Sequence, residues 1–163
     1  MLTLLIYAPC EKVLIGEDQI ASLISIMETV GVNVTAEIPA DALAPIQWSV
    51  FSLWKRNEEV REPIEMEERT EVFRPDGTLA TGGTTTFTVS NEHVFYRSLV
   101  RIPLFPIGLH GFVKVKCRTR RTNPETEWTE FAEFPLFVEH KPTQGQESPQ
   151  TENETAAQQP EVA

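Results

Sequence analysis

At 163 residues, 40% of them apolar, the chain has the length of one domain and enough hydrophobic material for a single core. Its formal charge of −10 sets it against nucleic-acid backbone and anionic membrane, which would both repel it. Without the stretch from Lys141 onward, 13 basic and 20 acidic residues remain, so the body is acidic in its own right.

The chain opens on an apolar run, Leu2 to Tyr7, that reads as a first strand. No basic residues precede it, and Pro9, Cys10, Glu11 and Lys12 end it well short of a membrane-spanning length. This predicts a cytoplasmic protein without a membrane segment. Val13 to Ile15 is a second run, and Gly16-Glu17-Asp18 makes a hairpin turn before a third, from Ile20 through Met27 to Val34. Ile20–Met27 fits helix or strand by period alone. Its isoleucines, the turn before it and the β-branched Val30, Val32, Val34 and Thr35 after it favour strand. Ile38 to Pro45 is a connection with room for one helical turn, capped by Asp41 and stopped by Pro45.

Ile46, Trp48, Val50 and Trp54 then alternate with Gln47, Ser49 and Lys55, which puts both tryptophans on the core face of a half-buried strand. Ile64, Met66, Thr70 and Val72 face inward against Glu65, Glu67, Arg69 and Glu71. Arg74-Pro75-Asp76-Gly77 is a hairpin turn: proline presets φ, Asp76 bonds its own backbone, and Gly77 accepts a left-handed conformation. The return strand is Thr84 to Val89, with a bulge or bend expected at Gly82-Gly83. Val94, Tyr96, Val100 and Ile102 share a phase, and Pro103 and Pro106 bracket an edge or a crossing between sheets. Val113, Val115 and Cys117 alternate with Lys114, Lys116 and Arg118, and Asn123-Pro124-Glu125 turns the chain into a last strand carrying Ala132, Phe134, Leu136 and Val138. No apolar pattern at 3.6-residue spacing is sustained. The expected fold is therefore all-β: an antiparallel β-sandwich, Ig-like or C2-like, of seven to eight strands over residues 1–140. Residues 141–163, rich in Gln, Glu, Thr, Pro and Ala, form an expected disordered polar and acidic tail.

Motifs for chemistry are missing. Gly82-Gly83 lacks a following Gly-Lys-Ser/Thr and precedes a strand, whereas a phosphate cradle needs a helix N-terminus. No serine sits in a Gly-X-Ser-X-Gly elbow. His93, His110 and His140 fall in different segments without ligand spacing, and Asp18, Asp41 and Asp76 sit in separate turns. No metal, cofactor or enzymatic activity is expected on these grounds, and His110, between two glycines, is the one weak ligand candidate. Cys10 and Cys117 are too few and too far apart for a disulfide framework; they read as small buried hydrophobes in a reducing compartment, or as one bridge between neighbouring strands.

Two charge clusters stand out. The glutamates at 58, 59, 62, 65, 67, 68 and 71 read as a solvated strand face. Lys114, Lys116, Arg118, Arg120 and Arg121, with Trp128 and Phe131 nearby, offer a surface for a partner. Cross-strand pairing between the clusters explains both equally well if their strands are adjacent.

The order of features resembles a bacterial family of small β-sandwich proteins, a domain family of unknown function. An apolar first strand ends near Cys10-Glu11, a turn leads into Ile20–Met27, and a proline-bearing connection leads into an aromatic strand. Pro75-Asp76-Gly77 and Pro106-Ile107-Gly108 follow, and the likeness closes on Phe134-Pro135-Leu136-Phe137-Val138. The resemblance implies the sandwich fold and a cytoplasmic location, and it implies no catalytic residues. The expected function is a non-catalytic protein-interaction or accessory module. Alternatives are a small-ligand or carbohydrate binder using exposed aromatics among Trp48, Trp54 and Trp128, and an enzyme with a dispersed site.

Overall fold

The computed structural model describes residues 2–18, 20–34 and 36–142, and among them every regular element is a strand. In chain order these are β1 (Leu2–Ile15), β2 (Ala21–Ile26), β3 (Thr29–Val34), β4 (Leu43–Ala44), β5 (Trp48–Arg56), β6 (Ile64–Phe73), β7 (Leu79–Val89), β8 (Phe95–Ile102), β9 (Phe105–Pro106), β10 (Gly111–Arg121) and β11 (Thr129–Pro142). A four-stranded sheet, β2-β1-β5-β8, packs on a five-stranded sheet, β3-β11-β10-β6-β7, and β4 and β9 form a two-residue seam. The core lies between the sheets. Trp48, Val50, Val100 and Ile102 from the first meet Val72, Val113, Val115, Leu136 and Val138 from the second, all buried. The period of two therefore places both tryptophans of β5 where the sequence puts them, with Trp48 and Trp54 each at most 2% exposed.

Several local expectations change. The runs on either side of Pro9 are one strand, because Pro9 carries no penalty there. Its carbonyl accepts from Met27 N at 2.9 Å on the side where β2 has already ended, so its missing N–H removes no bond to β5. Ala21–Ile26 and Thr29–Val34 are strands, as the isoleucines indicate, divided at the buried Met27. Then β3 crosses to the other sheet and pairs parallel with β11, so the sandwich is not wholly antiparallel. The one helical turn expected near Asp41 is instead a turn leading into β4. The register shift of the β6–β7 hairpin falls between Val72 and Phe73, opposite Ala80, rather than at the glycines. Gly83 is there for close approach: a Cβ on it would stand 2.7 Å from Val100 Cγ1. The 74–78 turn has the expected chemistry, with Gly77 at φ +86° and Thr78 N donating to Asp76 Oδ1 at 2.9 Å. Lys141 and Pro142, expected to begin the tail, are the last residues of β11, paired with Asn33 and Val34. The rest of the expected tail lies outside the described residues.

Candidate functional site

The least expected chemistry is in the core. Glu68 sits between Met66 and Thr70 on the inward phase of β6 and is fully buried, whereas its charge had grouped it with the solvated glutamates. Across the gap, Tyr7, Ser52 and Ser98 lie abreast on β1, β5 and β8. Ser52 Oγ donates to Glu68 Oε1 at 2.6 Å, Trp54 Nε1 donates to Oε2 at 2.8 Å, and Ser98 Oγ donates to Oε2 as well. Three donors from two strands of the facing sheet thus converge on one carboxylate, which is how a buried acid is satisfied. Tyr7 and Thr70 hydroxyls meet at 3.4 Å beside it. Burial pushes the Tyr7 phenol and the Cys117 thiol well up, and the neighbouring Glu68 adds to both. Neither is an activated nucleophile. Cys10 and Cys117 are both free and buried, in different sheets. The contacts of Glu68 lock the two sheets together.

Four of the five basic residues of β10, Lys114, Lys116, Arg118 and Arg120, are paired rather than presented, and Arg121 at its end is exposed. β10 runs between β6 and β11, and its cations meet the glutamates of both neighbours. Lys114 reaches Glu133 at 3.2 Å, and Lys116 reaches Glu130 and Glu133 at 3.2 and 3.4 Å. Arg118 reaches Glu71 and Glu130 at 3.1 and 3.4 Å, and Arg120 reaches Glu67 at 2.8 Å and also Glu125. The Lys116 ammonium holds the Glu130 carboxyl below its ordinary range. Trp128 lies beneath two guanidinium groups, Arg69 at 4.2 Å and Arg120 at 4.6 Å from its ring centre. Any partner at this face displaces an existing ion pair for each one it makes.

His110 is exposed at the start of β10. Its Nδ1 accepts from His140 N at 3.2 Å, and the two rings stand 5.9 Å apart. His140 Nε2 is 2.7 Å from the Ile107 carbonyl, which fixes the proton on that nitrogen. Among the described residues, no three side chains of His, Cys, Asp or Glu are placed to hold a metal ion.

Two other features have the form of binding surfaces. The first is the β1–β2 hairpin. β5 covers β1 only as far as Cys10, so from Lys12 onward the hairpin is a two-stranded ribbon. Ile24 stands opposite Lys12 and Leu14 opposite Ser22 on one face; Leu23 opposes Val13 and Ile15 opposes Ala21 on the other. The second face is apolar and the first mixes Ile24 and Leu14 with Lys12 and Ser22, and Leu14, Ile15, Ile20, Ile24 and Ile26 are between 40% and 63% exposed. On its outer edge β2 pairs with no strand among the described residues.

The second is a cavity of about 390 Å³ at the opposite end of β1, where the two sheets part. Leu2, Val60, Ile64, Met66, Val89 and Phe131 give it an apolar body, and Arg56, Arg120, Arg121, Glu127 and three threonines complete its lining. Neither surface was read from the sequence. The hairpin's apolar residues looked like ordinary strand material, and the cavity gathers residues from seven separate stretches of chain.

Comparison with known proteins adds little to this geometry. No family model matches the chain, and no curated protein matches it in sequence. Among solved structures, the N-terminal domain of PorA aligns over 83% of this chain and 97% of that one, at 10% identity and a TM-score of 0.27. A likeness of that size assigns neither a family nor a function.

Proposed function

We propose that the chain is a non-catalytic protein-interaction module that takes up a β-strand of another protein chain along the open edge of β2. One observation carries this: a two-stranded ribbon, with exposed leucine and isoleucine on both faces, stands at a sheet edge unpaired among the described residues. Such a ribbon is marginal in water by itself, and an exposed apolar edge is what natural sheets otherwise blunt with charge or proline. The other edges of the two sheets are blunted or polar. β8 carries Arg97 and Arg101, while β3 and β7 present mainly threonine, glycine and asparagine outward. Strand addition satisfies the free backbone groups of β2, and side chains on both faces supply the apolar contact. The occupant is a second copy of this chain or a strand of a different one.

Two further features support the module's setting. The free thiols of Cys10 and Cys117 support a reducing compartment such as the bacterial cytoplasm, and the order of motifs supports membership of the bacterial β-sandwich family it resembles. No helix among the described residues is long and apolar enough to cross a membrane. A carbohydrate platform built on tryptophan has less support, because Trp48 and Trp54 are core and Trp128 is already beneath two guanidinium groups.

The test is affinity capture at low salt with wild-type and Ile24→Lys proteins, beside sedimentation of each alone. Ile24 is exposed, so the substitution leaves the fold intact. The expected result is a defined complex whose affinity falls by about 30-fold or more in the variant, as for a central interface residue. A wild-type protein that self-associates with nothing and captures no defined chain, or a variant that retains the whole complex, counts against the module.

A further inference from the structure

We infer that the cavity between the open ends of the sheets is a second binding site, for a small molecule with an apolar body and one carboxylate head. This goes beyond docking at β2, since the cavity lies at the other end of β1 and shares no residue with β2 or with the ribbon from Lys12 onward. Its volume, about 390 Å³, falls within the range of small-molecule sites, which are mostly apolar with a few convergent polar groups. Here the apolar part is built by Leu2, Val60, Ile64, Met66, Val89 and Phe131. Leu2, Val60, Ile64 and Met66 pack on the core around Trp54, so the floor of the cavity is rigid.

Two guanidinium groups without a carboxylate partner select the head group. Arg120 is neutralised by Glu67 and Glu125. Arg56 donates to the neutral amide of Asn91 and so keeps its charge. Arg121 is exposed, and among the described residues its guanidinium meets no carboxylate; only its backbone is engaged, with Thr126. Glu127 is the one acid in the lining. Since Arg120 meets two carboxylates, the charges of the lining and its partners balance, and Arg56 and Arg121 are the two guanidinium groups left without a carboxylate of their own among the described residues. A guanidinium fork matches a carboxylate in bidentate geometry, which an alcohol cannot reproduce and a cation opposes. The apolar body excludes a bare inorganic anion as the best ligand, because nothing then covers the six hydrophobic side chains.

Calorimetric titration of the full chain with decanoate, decanol and decyltrimethylammonium tests this. The expected result is saturable one-to-one binding of decanoate with a dissociation constant below about 1 mM, and binding of the cation at least 10-fold weaker. Arg121→Gln, at an exposed position, weakens decanoate about 10-fold, the worth of a charge-assisted hydrogen bond, and leaves decanol unchanged. Val60→Trp, which fills the cavity from its loop, removes binding of all three. Ile24→Lys leaves decanoate binding intact, so failure at this site and failure of docking at β2 are distinguishable. Absence of saturable decanoate binding overturns the inference. So does equal binding of the cation, or full binding by Val60→Trp.

Discussion

Glu68→Ala lowers the free energy of unfolding by about 4 kcal/mol, within the range for removing one member of a buried, hydrogen-bonded charged cluster. The loss comes from what stays behind. Ser52 Oγ and Ser98 Oγ can turn, but Trp54 Nε1 is fixed by a fully buried ring, and its N–H then faces an apolar gap. That ring is held edge-on by Phe131 at 5.0 Å and stacked by Phe87 at 6.4 Å, so it has no route to another acceptor. Glu68→Gln is the sharper variant. It keeps the volume and, with its carbonyl oxygen towards Trp54 Nε1, its NH2 donates to a Ser52 Oγ turned to accept, so the loss is that of the charge-assisted bonds alone, about 2 kcal/mol. Urea denaturation with an unchanged slope separates these effects from a change in the unfolded state. For a domain of this size, 4 kcal/mol corresponds to a fall in Tm of roughly 10 °C or more. Glu130→Ala, in the exposed ladder of β10 and β11, leaves the midpoint nearly where it was, because solvated ion pairs contribute little. Equal stability of Glu68→Ala and wild type contradicts the lock.

Gly108→Ala loses about 2–3 kcal/mol by overpacking. A Cβ at this position stands 2.3 Å from the Pro39 carbonyl oxygen and 2.4 Å from that of Ala40. Both are backbone atoms, so no side chain can swing aside. The crowded turn is also tied down: Ala42 N donates to Pro39 O at 2.9 Å, and Ile107 N donates to Ala42 O at 3.1 Å. Relief therefore comes only by parting β4 from β9. The neighbouring Trp48 reports the event, since its Nε1 donates to Leu104 O at 3.0 Å and its ring meets Phe105 edge-on at 5.6 Å. The variant shows a lower urea midpoint together with red-shifted, more quenchable Trp48 emission. A variant with wild-type midpoint and emission shows that the 39–42 turn is free to move away.

Two-residue periodicity made most of this fold legible. It placed Trp48 and Trp54 in the core, Val113 and Val115 inward and Lys114 and Lys116 outward, and the Pro-Asp-Gly turn where the chain reverses. The same period carries Glu68 inward between Met66 and Thr70. That signal was present, but charge outweighed phase because the acceptors' partners, Ser52 and Ser98, come from strands 16 and 30 residues away. Sheet order was not legible, and two outcomes follow from it. β10 lies between β6 and β11, so Lys114, Lys116, Arg118 and Arg120 and the facing glutamates neutralise each other. β1 outruns β5 at Cys10, so an ordinary-looking apolar hairpin is left without cover. His110 and His140 also meet only in space, because β10 and β11 pair over Gly111 and Val138. A surface made by register has no local motif to find.

The module's central claim is that β2 is the edge a partner strand occupies, and amide hydrogen exchange of the complex against the free chain tests it most directly. In an antiparallel pair about half of an edge strand's amides point away from its neighbour. In the free protein, the outward amides of Ala21–Ile26 exchange rapidly while those of β5 and β10, inside their sheets, are slow. Binding slows the β2 amides by at least about 100-fold, as new backbone hydrogen bonds form, and leaves β8 at the other edge of the sheet unchanged. Protection confined to β8 or to the β10–β11 face, with β2 still exchanging as in the free chain, contradicts the claim.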